Sequence, residues 1–203
     1  MKADEDDLIA IDGVPLKKEE EKVVYVLNKP KNVISSASDD RGRKTVLDYV
    51  DSPYRLFPMG RLDYDSSGLI LLSNDGELMQ KLIHPRYEVE KTYEVVIRGQ
   101  ISEEELDVLR KGVKIDDYIS SPAKITLHTI NKDRNTSFMT ITIHEGKNRE
   151  IRKMFETMDY EVIRLHRIEE AGITLGKLKS GEARRLTPHE VKKLRNYLDH
   201  GNL

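Results

Sequence analysis

The stretch Gly60-Arg61-Leu62-Asp63-Tyr64-Asp65-Ser66-Ser67-Gly68-Leu69-Ile70-Leu71-Leu72-Ser73-Asn74-Asp75-Gly76 changes character halfway. Its first half packs small, polar and charged residues into a turn. Its second half, Gly68 to Ser73, is apolar and of strand length, which reads as a buried strand. Loops anchored by rigid strands are common places for catalytic residues. Asp63-x-Asp65-x-Ser67-Gly68 matches the first half of an EF-hand calcium loop. The twelfth position is Asn74, which offers no bidentate carboxylate, the ninth is Leu71, and a strand follows where a helix should begin. Calcium is therefore rejected, and no His or Glu converges in sequence to complete another metal site. Read in isolation, Asp65 and Asp75 are turn residues whose carboxylates cap backbone groups.

Working outward, Val23 to Leu27 is an apolar strand closed by Asn28-Lys29-Pro30. Ser35 to Lys44 is a polar, basic loop, and Thr45 caps a short helix through Tyr49. Asp75 to His84 carries Leu78, Leu82 and Ile83 at helical spacing. In Glu90 to Arg98, Lys91, Tyr93, Val95 and Ile97 alternate onto one face of a strand. Ser102 with Glu105 is a capping box opening a helix to Lys111, stopped by Gly112. Strands are predicted at 113–117, 122–130, 137–145 and 161–167, and a helix from Asn148 to Met158. Thr187-Pro188-His189-Glu190 opens a last helix with Val191, Leu194 and Leu198 on its buried stripe. Strands in runs with interspersed helices give an α+β class with a mainly antiparallel mixed sheet and flanking helices.

The chain of 203 residues is 37% hydrophobic and 34% charged, a composition that can fold around a core. No apolar run approaches the roughly 20 residues of a membrane span, and the acidic start Met-Lys-Ala-Asp-Glu-Asp-Asp is not a secretory signal. Cysteine is absent, which removes disulfides, thiolate nucleophiles and Cys-ligated zinc and suits a cytoplasmic setting. The net charge of −2 hides an asymmetry: residues 1–22 hold four lysines against eight acids, so the rest is slightly basic. Lys147, Arg149, Arg152 and Lys153 surround Glu150 alone, and such local clustering, not the total, sets a phosphate-binding field.

Four segments occur in order: Gly60-Arg61-Leu62-Asp63; Gly68 through Leu78; Glu90-Lys91-Thr92-Tyr93-Glu94-Val95; and Glu145-Gly146-Lys147-Asn148-Arg149-Glu150-Ile151-Arg152-Lys153-Met154-Phe155. Together they closely resemble ribosomal RNA pseudouridine synthases of the small-subunit-enzyme family, from about Val23 to Leu198. Gly112-Val113 and the Gly-Lys-Asn-Arg-Glu wording look most like the branch that modifies large-subunit ribosomal RNA, type B. The resemblance implies the pseudouridine-synthase catalytic fold with a central active-site cleft. It implies breaking of the uridine N1–C1′ bond, turning of the uracil and rejoining through C5, with no cofactor. The partner it implies is ribosomal RNA, 23S in this branch, as free RNA or an assembly intermediate, bound by a monomer with no membrane involved. A 16S-directed synthase and a non-catalytic RNA-binding module are the alternatives; a two-carboxylate glycosidase fits poorly, because Asp63 and Asp65 share one loop.

By the same resemblance Asp63 is the catalytic carboxylate, able to attack C1′, add to C6 or take a proton from C2′. Arg152 is the cation that pairs with it, and Tyr93 stacks on a flipped-out base with its hydroxyl near Asp63. Without the family match, Arg152 is a solvated helix charge and Tyr93 a core aromatic. Arg61 orders the loop or contacts RNA near the flipped nucleotide, Lys91 supports the pocket and Leu165 lies beneath the base. Lys147, Arg149, Lys153, Arg164 and Arg167 are candidate phosphate contacts. The expected geometry is an Asp63–Arg152 ion pair with the Tyr93 ring beside it. Two departures stand out. Asp159 occupies a position where the family usually has Gly. Leu8 to Leu16 resembles only the last strand of an S4-type RNA-binding domain, giving residues 1–22 as its remnant and linker and 23–203 as the catalytic domain.

Overall fold

The computed structural model describes residues 10–11, 14–15 and 19–201. Strands β1 (Ala10–Ile11) and β2 (Val14–Pro15) pair antiparallel. Asp12, Gly13 and the rest of the Leu8–Leu16 run lie outside the described residues. The body is built on β3 (Val24–Lys29), β4 (Phe57–Met59), β5 (Ser67–Ser73) and β6 (Lys91–Arg98). A small hairpin of β7 (Lys114–Ile115) and β8 (Tyr118–Ile119) follows. The strands β9 (Lys124–Asn131), β10 (Thr136–Ile143), β11 (Val162–Glu170), β12 (Ile173–Thr174) and β13 (Ala183–Arg185) complete the set. One nine-stranded sheet runs β13-β3-β5-β11-β6-β10-β9, with β4 added to β5 and β12 to β11. Its ladders are antiparallel except for β5 against β11, which run parallel through the pairs Ser67–His166 and Gly68–Arg167.

The α+β class and the mixed, mainly antiparallel sheet are as the patterns imply. Helices α1 (Gly76–Ile83) and α4 (Pro188–His200) cover one face, packing Leu78, Leu82, Leu194 and Leu198 on Val24, Val26, Leu69 and Leu71. Helices α2 (Glu103–Lys111) and α3 (Glu150–Glu156) cover the other with Leu106, Leu109, Ile151, Met154 and Phe155. Those side chains meet Ile70, Leu72, Val95, Ile97 and Met139. Central β5 contributes to both cores, so its apolar run has no polar interruption from Leu69 to Leu72. The α2 capping box forms as written: Ser102 Oγ accepts from Glu105 N, and Glu105 Oε1 accepts from Ser102 N, both at 3.2 Å.

Two local features set the site. Gly68 has φ +112, and a Cβ there would stand 2.2 Å from the Arg167 carbonyl oxygen, so glycine lets β5 and β11 approach. Helix α3 begins at Glu150, two residues later than predicted, because Arg149 takes a left-handed conformation (φ 50, ψ 32) at its N-cap. Asp159 also has a positive φ of 60, which accounts for the glycine usual at that position; aspartate tolerates this region better than most residues.

Candidate active site

Asp63 lies in the loop between β4 and β5. That loop is fixed by its backbone: Ser66 N donates to Asp63 O at 3.0 Å, and Asn32 N donates to Tyr64 O at 2.7 Å. Ser35 Oγ donates to Leu62 O at 2.6 Å and accepts from Leu62 N at 3.1 Å. The carboxylate of Asp63 remains 40% exposed. Its ion-pair partner is Arg149, whose Nη1 is 3.5 Å from Asp63 Oδ2. Arg149 is gripped more firmly by Asp65, through a bidentate pair at 3.0 and 2.9 Å. Those bonds hold the Asp65 carboxyl down to about 2, with Arg152 assisting.

The expected Asp63–Arg152 ion pair is not formed. Arg152 is 8% exposed. Its guanidinium donates to Val162 O at 3.2 Å, Asp65 O at 3.3 Å and Ser66 Oγ at 3.4 Å, and stands 3.6 Å from Asp65 Oδ2. The physical reason is the late start of α3. Arg149 is turned out of the helix by its left-handed backbone and reaches the carboxylates first, while Arg152 stays packed and clamps the loop's backbone. Asp65, read from sequence as a simple cap, is the residue both arginines share. Asp75 does act as a cap, accepting from Leu78 N at 3.2 Å, and also binds Arg195 at 2.8 Å.

Tyr93, on β6, is 8% exposed and belongs to the same core as Leu165, Leu62 and Ile143. Its hydroxyl accepts from Arg167 Nη1 at 3.4 Å. Burial pushes the phenol up, opposed by Arg167 and reinforced by the charges of Glu170 and Asp63. Arg167, expected to touch phosphate, is only 2% exposed. Its Nε donates to Leu69 O at 2.8 Å and its Nη2 lies 3.1 Å from Glu170 Oε2. A guanidinium enclosed in this way supports Tyr93 and the sheet; it cannot meet a phosphate in this conformation.

Lys29 was not singled out in the sequence. Its side chain is wholly buried, with Nζ donating to Pro30 O and Val33 O, both at 2.9 Å. Burial draws the amine down to about 8, against the pull of Asp63 and Asp65. It is therefore a third cation in the field of the loop. The only local signal was a lysine at the end of an apolar strand, immediately before proline.

The other expected residues divide. Arg61 is exposed beside Asp63 in sequence. Leu165 is buried opposite Val95 in the β6–β11 ladder. Lys147 stands over the Tyr118 ring at 3.9 Å, and Lys153 pairs with Asp116 at 3.0 Å; both remain partly exposed near α3. Arg164 pairs with Glu94 at 3.1 Å. Alternation places both on the sheet face opposite Leu165 and Tyr93, so Arg164 is not brought to the site. A cavity of about 650 Å³ lined by Thr92, Glu169, Lys193 and Tyr197 also lies on that far face, against α4, and contains no expected site residue. Among the described residues no cluster of three or more His, Asp or Glu is arranged to hold a metal.

Lys91 is partly buried among Glu170, Arg167, Glu150 and Glu145, and burial lowers its amine. Glu150, 3% exposed at the start of α3, is pushed up to about 7 by burial and by Glu145. Glu145 keeps its charge, accepting from Ser121 N at 2.7 Å. Lys147, 4.0 Å from Glu145, and Tyr118 complete the cluster. The folded protein thus holds the Glu150 proton more tightly than the unfolded chain does. Stability should fall as pH rises from 4.5 through 7, by roughly 3 kcal/mol before the coupling to Glu145 is subtracted. Urea midpoints at pH 5.5 and 8 should differ in wild type, and the difference should shrink in Glu150→Gln. An unchanged difference would place the titration elsewhere.

An acidic loop braced by arginines, a buried tyrosine and a nine-stranded sheet can be compared with known proteins. The family model described as RNA pseudouridylate synthase matches residues 23–157. The chain is 48% identical over 196 residues to ribosomal large subunit pseudouridine synthase B of Bacillus subtilis (strain 168), covering 96% of this chain and 80% of that protein. It is 38% identical over 172 residues to ribosomal large subunit pseudouridine synthase E of Vibrio parahaemolyticus, covering 78% and 71%. A crystal structure of a pseudouridylate synthase superposes with a TM-score of 0.77 at 29% identity, covering 96% of this chain and 83% of that one. The chain belongs to the RNA pseudouridylate synthase family, and its activity is that of a pseudouridine synthase.

Proposed function

We propose that this enzyme converts a specific uridine of 23S ribosomal RNA to pseudouridine, acting as a monomer in the cytoplasm on free RNA or an assembly intermediate. The observation that carries the substrate is the 48% identity, over nearly the whole chain, to a protein named for the ribosomal large subunit. Residues 23–203 form the catalytic domain in this reading. Among the described residues no helix is long and apolar enough to cross a membrane.

Asp63 supplies the carboxylate that initiates glycosidic cleavage, by attack at C1′ or C6 or by proton removal at C2′. All three roles need the anion, and Arg149 at 3.5 Å stabilises negative charge there. The target base cannot be reached within a helix, so it is extruded. Tyr93 and Leu165 supply an aromatic and apolar wall for it. Arg61, Arg149, Lys147 and Lys153 supply exposed cations for the surrounding phosphates. Arg152 holds the loop through the carbonyl of Asp65 and the hydroxyl of Ser66. Isomerisation conserves atoms and electrons, so the chemistry calls for no cofactor.

The test is pseudouridine mapping of ribosomal RNA from a strain lacking the gene, with purified protein added back. One missing pseudouridine in 23S RNA, restored by the protein, is the expected result. Loss of a 16S site would reassign the substrate.

A further inference from the structure

We propose that Tyr64 and Arg43 form a stacking platform for the nucleotide next to the target uridine; the inference rests on the RNA-modifying role given to the Asp63 loop. Tyr64 follows Asp63 directly and is 42% exposed, although it is aromatic and lies at the centre of the loop. Nothing among the described residues hydrogen-bonds its hydroxyl, yet its backbone is held by the 2.7 Å bond from Asn32 N. Arg43 places its guanidinium carbon 5.6 Å from the ring centroid.

Arg43 is itself fixed. Its Nε and Nη2 engage the Asp39 carboxylate at 3.1 and 2.9 Å, and its backbone N donates to the same carboxylate at 2.8 Å. The ring is therefore presented in a defined place, backed by a cation, with a large part of its surface open. Exposed Lys31, Arg41 and Lys44 make the surrounding loop segment basic. Ser35 ties that segment to Leu62, one residue before Asp63.

These features match what single-stranded nucleic acid needs: a π-face for a base and cations for the backbone. Asp63 is directed to Arg149 and Tyr64 to Arg43, so two successive residues serve two separate places. Tyr93 and Leu165 are assigned to the flipped uracil. Tyr64 then takes an adjacent base, which unstacks when its neighbour is extruded. The pair would contribute to which sequences around a uridine are accepted.

The experiment has two arms. In the first, Asp63→Asn protein is cross-linked by ultraviolet light to total RNA from a strain lacking the gene. The cross-linked peptide and nucleotide are identified by mass spectrometry, and the converted uridine is mapped with wild-type protein on the same RNA. Tyr64 joined to a nucleotide immediately beside that uridine is expected; Tyr64 joined to a remote nucleotide would overturn the platform. In the second arm, turnover is measured on a short RNA carrying the mapped uridine. Tyr64→Ala should raise KM roughly five- to a hundredfold with little change in kcat, and Tyr64→Phe should restore KM. Arg43→Ala should raise KM less. Equal KM for wild type and Tyr64→Ala, with matching melting curves, would overturn the proposal. Conversion of a uridine outside 23S RNA would overturn the substrate reading instead, and both arms would then be read at that uridine.

Discussion

Asp63→Asn is expected to reduce pseudouridine formation by at least about four orders of magnitude while leaving the fold and RNA binding in place. The amide keeps the shape of the carboxylate and cannot attack C1′, add to C6 or accept the C2′ proton. The structural cost is small, because the carboxylate is 40% exposed and its one ion pair among the described residues, to Arg149, is long at 3.5 Å. The informative control is Asp65→Asn. Asp65 holds Arg149 with two short bonds and stands 3.6 Å from Arg152, so its loss loosens both cations without removing the reacting group. A decline of about tenfold is expected there. Turnover assays with each variant, beside melting curves and RNA titrations, separate the two effects. Wild-type turnover in Asp63→Asn would move the chemistry to another residue.

The second large effect is structural. Arg167→Met should lower stability by about 3–5 kcal/mol, because it strands a carboxylate where water cannot reach. Arg167 and Glu170 are 2% and 3% exposed, at 3.1 Å from each other. The guanidinium also serves Leu69 O and the Tyr93 hydroxyl, so the aromatic wall loosens with it. The melting temperature should fall by roughly 10–15 °C. Adding Glu170→Gln to Arg167→Met removes the stranded charge and should recover a substantial part of the loss. If the single variant melts with wild type, the buried pair does not support the sheet.

The contrast between these residues shows what a sequence exposes. The α2 capping box, the alternation of Tyr93, Val95 and Ile97, and the apolar run of β5 are local patterns, and each forms nearly as written. Asp63 is singled out in the sequence by four ordered segments, and the structure sets it in a half-exposed loop beside Arg149. Arg167 was misread because an arginine in a basic region is ordinarily a surface charge. What encloses it comes from β5 and β6, far away in sequence, although Glu170 three residues on was a visible hint. The exchange of Arg149 for Arg152 as the partner of Asp63 turns on one left-handed residue, which no side-chain periodicity reports. Lys29 was hidden for a similar reason: its acceptors are backbone carbonyls of its own loop.

The parallel contact between β5 and β11 has a consequence for how the chain reaches its working form. Ser67 and His166 are 99 residues apart, yet they pair in the ladder, and Ser67 Oγ lies 2.8 Å from His166 Nδ1. The neighbouring ladders join segments closer in sequence: β3 with β5, as Val26 with Leu71, on one side, and β6 with β11, as Val95 with Leu165, on the other. Contacts that close long loops are entropically late and slow. Each half of the sheet can therefore assemble before the two are joined, except for β13, which follows β11 in the chain and pairs Ala183 with Leu27 across a still longer stretch. Asp63 and Asp65 sit on one half; α3 and β11, with their arginines, sit on the other. During refolding, strand content is expected to recover first and enzymatic activity last, because catalytic competence and closure of the sheet are the same event.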